Sequence, residues 1–410
     1  MEDQKEWVDA AKTLGFEYYL IDDGWRNWRA PGKDQWQCLK EVIDYSKSQG
    51  VGALVWVNSD EMRDAASRRA YLERVAELGA VGIKIDFIPS CTAEITRWYE
   101  GALKDTAELK LLCNFHGSVK LTGRQRTWPH ELTREAVRGH EYHMSRYRRV
   151  QAADHDQIVL FTRYLCGPAD YTPTAFDPKE MVGYTWSHLL AQAVNMTSPL
   201  LHFAGKYQDF IGNPSEDLLR HLPSTWDETI VLPGSEIGKT VAYARRRGDV
   251  WFVGVLNGGE AATLPVDFSF LGRGSWEVKA FADDPDQRLR DVQIADDAEL
   301  RQVHQFSVAA QVSILDGWRD PVAIGAVGDV YDHVVDQIGT HLRARGTRGR
   351  WTEHGSVQIL DTTEVRAPSA PAGVVSTASS KAFSAERASP PATCAMWWSA
   401  SSVSRTPRSP

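Results

Sequence analysis

The chain has 410 residues, a formal net charge of −8, 42% hydrophobic and 24% charged residues, the make-up of an ordinary globular protein. Its length accommodates a barrel-sized domain of about 250 residues and a smaller one. The acidic balance argues against nucleic acid or an anionic membrane as partner, and no run of about 18 apolar residues is present to span a bilayer. Five cysteines without a Cys-x-x-Cys pair give neither a zinc motif nor a disulfide framework.

In chain order, the pattern predicts an amphipathic helix over 6–14 ended by Gly15, then a short strand over 16–21 running into Asp22-Asp23-Gly24-Trp25. A helix over 35–48, a strand over 53–57, a helix over 69–78 and a strand over 81–87 follow, then a helix over 93–105 and a strand over 111–116. Further strands are expected over 135–141, 158–164 and 199–203, the last after a helix over 181–195. Alternating short apolar strands and helices argue for a parallel sheet with helices outside. Seven strands are expected and the chain opens on a helix. The fold class is therefore read as α/β, a (β/α)8 TIM-type barrel whose first strand is missing, over 1–227. From 228 to 315 the alternation becomes that of an antiparallel β-sandwich, with hairpin chemistry at Asn257-Gly258-Gly259. Residues 316–410 lose coherence and turn rich in Ala, Ser and Pro, which reads as a disordered tail or a shifted reading frame.

Chemistry concentrates at strand ends. In Val81-Gly82-Ile83-Lys84-Ile85-Asp86-Phe87, Lys84 and Asp86 are two apart and share one face of the strand. In a parallel barrel that face is the interior and its C-terminal end is the mouth, where a carboxylate reads as catalytic; capping of the next helix is the plainer alternative. A second carboxylate, Glu141, is expected at the same mouth. Two facing carboxylates suit acid/base and nucleophilic work on an acetal. Lys84 would keep Asp86 ionised and hydrogen-bond a sugar hydroxyl, or form a structural ion pair. Fifteen tryptophans fit sugar stacking and large cores alike.

Four blocks in order, Gly82-Ile83-Lys84-Ile85-Asp86-Phe87, Asn114-Phe115-His116-Gly117, Thr122-Gly123-Arg124-Gln125-Arg126-Thr127-Trp128-Pro129 and Arg134-Glu135-Ala136-Val137-Arg138-Gly139-His140-Glu141, resemble glycoside hydrolase family 97 over about residues 10–315. The resemblance implies an exo-acting hydrolase of a glycoside or oligosaccharide. Asp86 matches the nucleophile of the retaining, α-galactoside-cleaving branch and Glu141 its acid/base. The inverting branch carries a glutamate base just after the fifth-strand histidine, and Gly117 stands there. The family holds a calcium ion, for which Glu135 matches one ligand; a solvated surface glutamate is the alternative. Asp22 and Asp23 resemble an acid pair that grips hydroxyls, or form a simple turn. Trp25, Trp56 and His116 are expected at the mouth, with core packing as an equal reading for Trp56. Arg138 is expected to orient a carboxylate or a sugar oxygen, and Arg126 and Trp128 to be structural or on the rim.

α-Glucosidase action, or action on a related pyranoside, is the alternative within the family, and a sugar-binding fragment without activity is the alternative outside it. Family members are usually periplasmic or secreted; the acidic N-terminus shows no signal-peptide core, so the compartment stays open.

Overall fold

A computed structural model describes residues 2–143, 151–152, 154–174, 176–177, 184–203, 205–258, 263–264, 266–271, 276–283, 289–293, 303–304, 308–314, 348–351, 357–360 and 393–398. The chain divides into two compact units. One comprises residues 1–326 and 393–410, the other residues 327–392. The second unit contains a two-stranded antiparallel ladder, Arg348–Trp351 with Val357–Leu360. Most of the tail expected over 316–410 otherwise lies outside the described residues.

The first unit opens with helix α1, Glu2–Thr13, and strand β1, Tyr18–Ile21. Helix α2, Gln35–Ser48, starts at Asp34, whose carboxylate accepts from the Gln37 amide while the Gln37 side chain accepts from the Asp34 amide. This reciprocal cap fixes where the helix begins. Strand β2, Gly52–Asn58, helix α3, Ala65–Glu77, strand β3, Gly82–Asp86, helix α4, Ala93–Glu108, and strand β4, Leu112–Phe115, continue the alternation. Asp64 and Thr92 cap α3 and α4 through their side-chain oxygens. Strand β5, Glu131–Arg134, and strand β6, Leu200–Phe203, lie at opposite edges of the sheet.

All pairings in this sheet are parallel. The order is β5-β4-β3-β2-β1, then the strand Thr393–Trp398, then β6. Among the described residues no ladder joins β5 to β6, so the closed barrel expected from the sequence is not formed by hydrogen-bonded strands alone. The sheet nonetheless curls. Leu20 of β1, Leu54 of β2 and Leu200 of β6 form one buried cluster, against which Val81, just before β3, and Leu132 of β5 pack. An apolar plug drawing residues from both edges is what a rolled sheet buries at its base. The segment 169–174 bridges the edges. The Asp170 amide donates to the Arg134 carbonyl of β5 at 3.2 Å, and the Asp170 carboxylate accepts the His202 amide of β6 at 3.2 Å.

Two expected strands are corrected. Residues expected as a strand over 158–164 form helix α6, His155–Leu160, and a 3-10 turn, Arg163–Cys166. A short apolar run with no turn residues beside it satisfies either periodicity, and here burial of Val159, Leu160 and Phe161 is met helically. The strand expected over 135–141 ends before it begins. β5 stops at Arg134, Ala136 takes φ +43°, and Glu141 falls in the short helix α5, His140–His143. Gly139 permits this path: a Cβ there would meet the Tyr171 carbonyl oxygen at 2.2 Å.

Helix α7, Trp186–Asn195, packs on a six-stranded antiparallel sheet. That sheet contains β7, Glu228–Val231, β8, Thr240–Arg247, and β9, Val250–Asn257, with Trp276–Asp283, Leu289–Gln293 and Val308–Ile314. A two-stranded ladder, Thr263–Leu264 with Val303–His304, accompanies it. Asn195 donates to the Gly254 carbonyl at 3.1 Å, and any Cβ at Gly254 would collide with it at 2.7 Å. The Asp283 carboxylate caps α7 through the Ser187 amide at 3.0 Å. Buried polar bonds of this kind fix how the helix seats on the sheet. Among the described residues no helix is long and apolar enough to cross a membrane, and Cys38, Cys91, Cys113 and Cys166 are unpaired.

Candidate functional site

The C-terminal ends of β1 to β4 bring Asp22, Trp56, Asp86 and His116 together. Lys84, 2% exposed on β3, points to the interior, its Nζ 3.3 and 3.5 Å from the two Asp22 oxygens. Burial works against the Lys84 charge, but Asp22, Asp86, Glu141 and Asp170 outweigh it and hold the ammonium form. The charges of Asp86 and Glu141 both bear on Asp22 and on Lys84. Negative charge gathers around Lys84. Burial, with Glu141 and Asp86 opposing Lys84, pushes Asp22 up to about 7.

That shift has a sign. A carboxyl whose folded value lies above its ordinary value near 3.8 adds stability when protonated, below about pH 4, and this contribution is lost as pH rises through about 7. Thermal unfolding at pH 5.5 and 8 is expected to show the loss, and Asp22→Asn, which cannot ionise, to reduce it to the part that the raised His116 contributes. An unchanged slope in Asp22→Asn would assign the dependence to another group.

Asp86 ends β3 with both oxygens occupied. Oδ2 accepts from Trp56 Nε1 at 3.0 Å and Oδ1 from the Phe87 amide at 2.7 Å. These bonds orient the carboxylate at the strand end. Trp56 is buried; its carbonyl accepts from Trp25 Nε1 at 2.9 Å, and Trp25 itself is fully buried against Trp36. Trp25 thus supports Trp56 from behind, and its faces are not presented to a ligand. Asp23 is exposed and its carboxylate accepts from the Gly24 amide at 2.7 Å, the turn reading of that residue.

Gly117 follows His116 with φ +51°. A Cβ there would lie 3.0 Å from the Phe87 amide nitrogen and 3.1 Å from Asp86 Oδ1. A side chain at this position would crowd the Phe87 backbone and the Asp86 carboxylate. Gly117→Ala is expected to destabilise by about 1–2 kcal/mol through its left-handed backbone and to lower kcat by displacing Asp86. Urea unfolding and steady-state kinetics measure the two effects separately.

Glu135 accepts the Gly117 amide at 2.7 Å on Oε2, while Oε1 lies 3.9 Å from His116 Nδ1. Calcium takes six to eight oxygens. Among the described residues no group of three or more His, Cys, Asp or Glu is arranged to hold a metal ion. The described side chains do not by themselves amount to the calcium site that the resemblance implies. Arg138 is exposed, with its guanidinium carbon 4.8 Å from the Tyr142 ring centroid. Glu141 receives support from Thr172 Oγ1, which accepts its amide at 3.4 Å. Arg124, beside Arg126, pairs with Glu100, and Trp128 Nε1 donates to Glu100 at 2.8 Å, a structural anchor on α4.

Sequence reading missed Asp170. Its Oδ2 accepts from Asn114 Nδ2 at 2.7 Å and pairs with His116 Nε2 at 2.6 Å and His202 Nδ1 at 2.7 Å. Burial opposes its charge, yet His202 and His116 hold the carboxyl well below the usual range. His116 is in turn raised to about 9: burial and Lys84 oppose the imidazolium, and Glu135 and Asp170 overcome them. A second buried carboxylate, Asp156, was also missed; it binds Tyr171, His188 and Gln192 and ties the 169–174 segment to α7. The signal for Asp170, an acid within Gly167-Pro168-Ala169-Asp170-Tyr171, looks like loop chemistry and gives no hint of its burial.

A curled parallel sheet with carboxylates gathered at its strand ends defines a barrel-type α/β protein with its site at the mouth. Comparison with known proteins narrows this. The family profile described as glycoside hydrolase 97 matches residues 1–137, and the profile described as glycosyl-hydrolase 97 C-terminal, oligomerisation, matches residues 225–311. The chain is 33% identical over 325 residues to a probable retaining alpha-galactosidase of Streptomyces bingchenggensis, covering 77% of this chain and 50% of that one. It is 32% identical over 298 residues to the retaining alpha-galactosidase of Bacteroides thetaiotaomicron, covering 68% and 44%. The crystal structure of a beta-arabinopyranosidase superposes with a TM-score of 0.64 at 25% identity, covering 76% of this chain and 52% of that one. The chain belongs to glycoside hydrolase family 97. It spans about half the length of the curated relatives it matches.

Proposed function

We propose that the chain carries the catalytic site of a retaining, exo-acting glycoside hydrolase that removes terminal α-galactosyl groups. One observation carries the choice of the retaining route: Asp86 is oriented at the strand end by two N–H donors, with Gly117 packed against it where another base would need room. The printed names of the two curated relatives support the substrate class. In this reading the six strands of the curled sheet that lie within 1–227 are the greater part of a (β/α)8 barrel, with the strand Thr393–Trp398 standing beside β1, and 228–315 is the C-terminal β domain.

Asp86 attacks the anomeric carbon while Glu141 protonates the departing glycosidic oxygen. Glu141 then deprotonates a water that opens the aspartyl ester, returning the enzyme and the sugar with its configuration kept. The two displacements require carboxylates about 5–5.5 Å apart. Lys84, Asp22 and His116 hold sugar hydroxyls. Glu135, which accepts the Gly117 amide, would contribute a carboxylate oxygen to a calcium ion beside the site.

Incubation with aryl α-galactoside, with product anomers followed by NMR, tests the reading. First-formed α-galactose is expected; first-formed β-galactose, or no turnover, would overturn it. An aryl β-L-arabinopyranoside belongs in the same assay, because the beta-arabinopyranosidase likeness makes that pyranoside the second reading. Preference for an aryl α-glucoside would move the substrate class and leave the retaining mechanism standing.

A further inference from the structure

Phe87 is 59% exposed although it directly follows the proposed nucleophile, and it is a large apolar side chain. Its backbone has φ +58°, a region that bulky residues avoid at a cost. The surroundings enforce that geometry. The Phe87 amide donates to Asp86 Oδ1 at 2.7 Å, and its carbonyl accepts from Ser59 Oγ at 2.8 Å. The next amide, of Ile88, donates to the Gly117 carbonyl at 3.2 Å. The ring stands edge-on to Trp56, centroids 6.1 Å apart at 81°, and Trp56 is the residue whose indole binds Asp86.

A strained backbone that holds an aromatic ring in solvent, one residue beyond a site carboxylate, needs a reason other than core packing. The hydroxyl-binding groups Lys84, Asp22 and His116 are buried deeper in the sheet. Phe87 follows Asp86 at the C-terminal end of β3 and is exposed there, so a group that projects toward solvent from a sugar held by those residues can meet its ring. We propose that Phe87 is the residue that selects the leaving group, its ring taking the apolar face of an aryl aglycone or of a neighbouring sugar. This rests on the glycosidase reading above.

The test compares an aryl α-galactoside with α-galactosyl fluoride, whose leaving group is too small to reach the ring. Phe87→Ala is expected to raise KM for the aryl substrate roughly three- to tenfold, the worth of one aromatic contact, and to leave the fluoride unchanged. Phe87→Tyr should retain both activities. Phe87→Gly, which relaxes the backbone, should match Phe87→Ala on the ratio of the two substrates. An equal fall for both substrates would mean that Phe87 acts through the placement of Asp86, and no change in either would mean that the ring touches nothing; both outcomes overturn the proposal. Turnover of the fluoride by the unaltered chain secures the glycosidase reading independently, and its absence overturns that reading and this inference together.

Discussion

Asp86→Ala is expected to lower kcat by roughly 10⁴ to 10⁶, the usual cost of deleting a nucleophile, and azide to restore part of it. The rescue follows from the geometry. Removing the carboxylate leaves Trp56 Nε1 and the Phe87 amide, two N–H donors, aimed at the emptied position. A small anion can occupy that position and attack the same face of the anomeric carbon. The product is then β-galactosyl azide, because only one displacement takes place, and NMR identifies it. Folding should be little affected, since Asp86 is only partly buried and the two donors it leaves lie near the mouth. A variant that turns over at the wild-type rate would remove Asp86 from the mechanism. One that is inactive and not rescued, yet unfolds as the wild type does, would leave a role in binding rather than in bond formation.

The residues legible in the sequence were those whose signal is local. Lys84 and Asp86 sit two apart in an apolar strand, so the alternation alone puts them on one face, and their shared influence on Asp22 agrees with it. Asp34, Asp64 and Thr92 start helices by bonds to residues two or three along the chain, and the helices α2 and α4 begin where the pattern placed them. Glu141 was found by its order in the chain but assigned to a strand, because nothing in Glu135-Ala136-Val137-Arg138-Gly139 announces the left-handed Ala136 or the backbone contact at Gly139. Trp25 and Trp56 carry the same side chain at similar strand-end positions. Only packing distinguishes the one fully buried behind from the one that binds the carboxylate. The join between the sheet edges was not legible either. It runs through the loop residue Asp170, whose polar partners lie more than 30 residues away in sequence.

Asp170 is the clearest instance of that loop's importance, and Asp170→Ala should cost about 3–5 kcal/mol of stability, as loss of one partner from a buried charged cluster does. Its carboxylate binds three side chains, from β4, from the residue following β4 and from β6, while its amide bonds to β5. Removing it leaves two buried imidazoles and an amide without their acceptor and unties the two edges of the sheet at one stroke. Unfolding in urea should show the loss, with a fall in melting temperature on the order of 10 °C. Asp170→Asn separates charge from shape. It fills the same volume, but one of its two acceptor oxygens becomes an NH2 that faces a donor, so part of the cost must remain. It also frees His116 to turn away from the position beside Glu135. Asp170→Asn is therefore expected to give folded protein with kcat reduced more than KM is raised. If both variants unfold as the wild type does, the edges of the sheet are held by other contacts, and the apolar plug of Leu20, Leu54 and Leu200 becomes the element that keeps the site together.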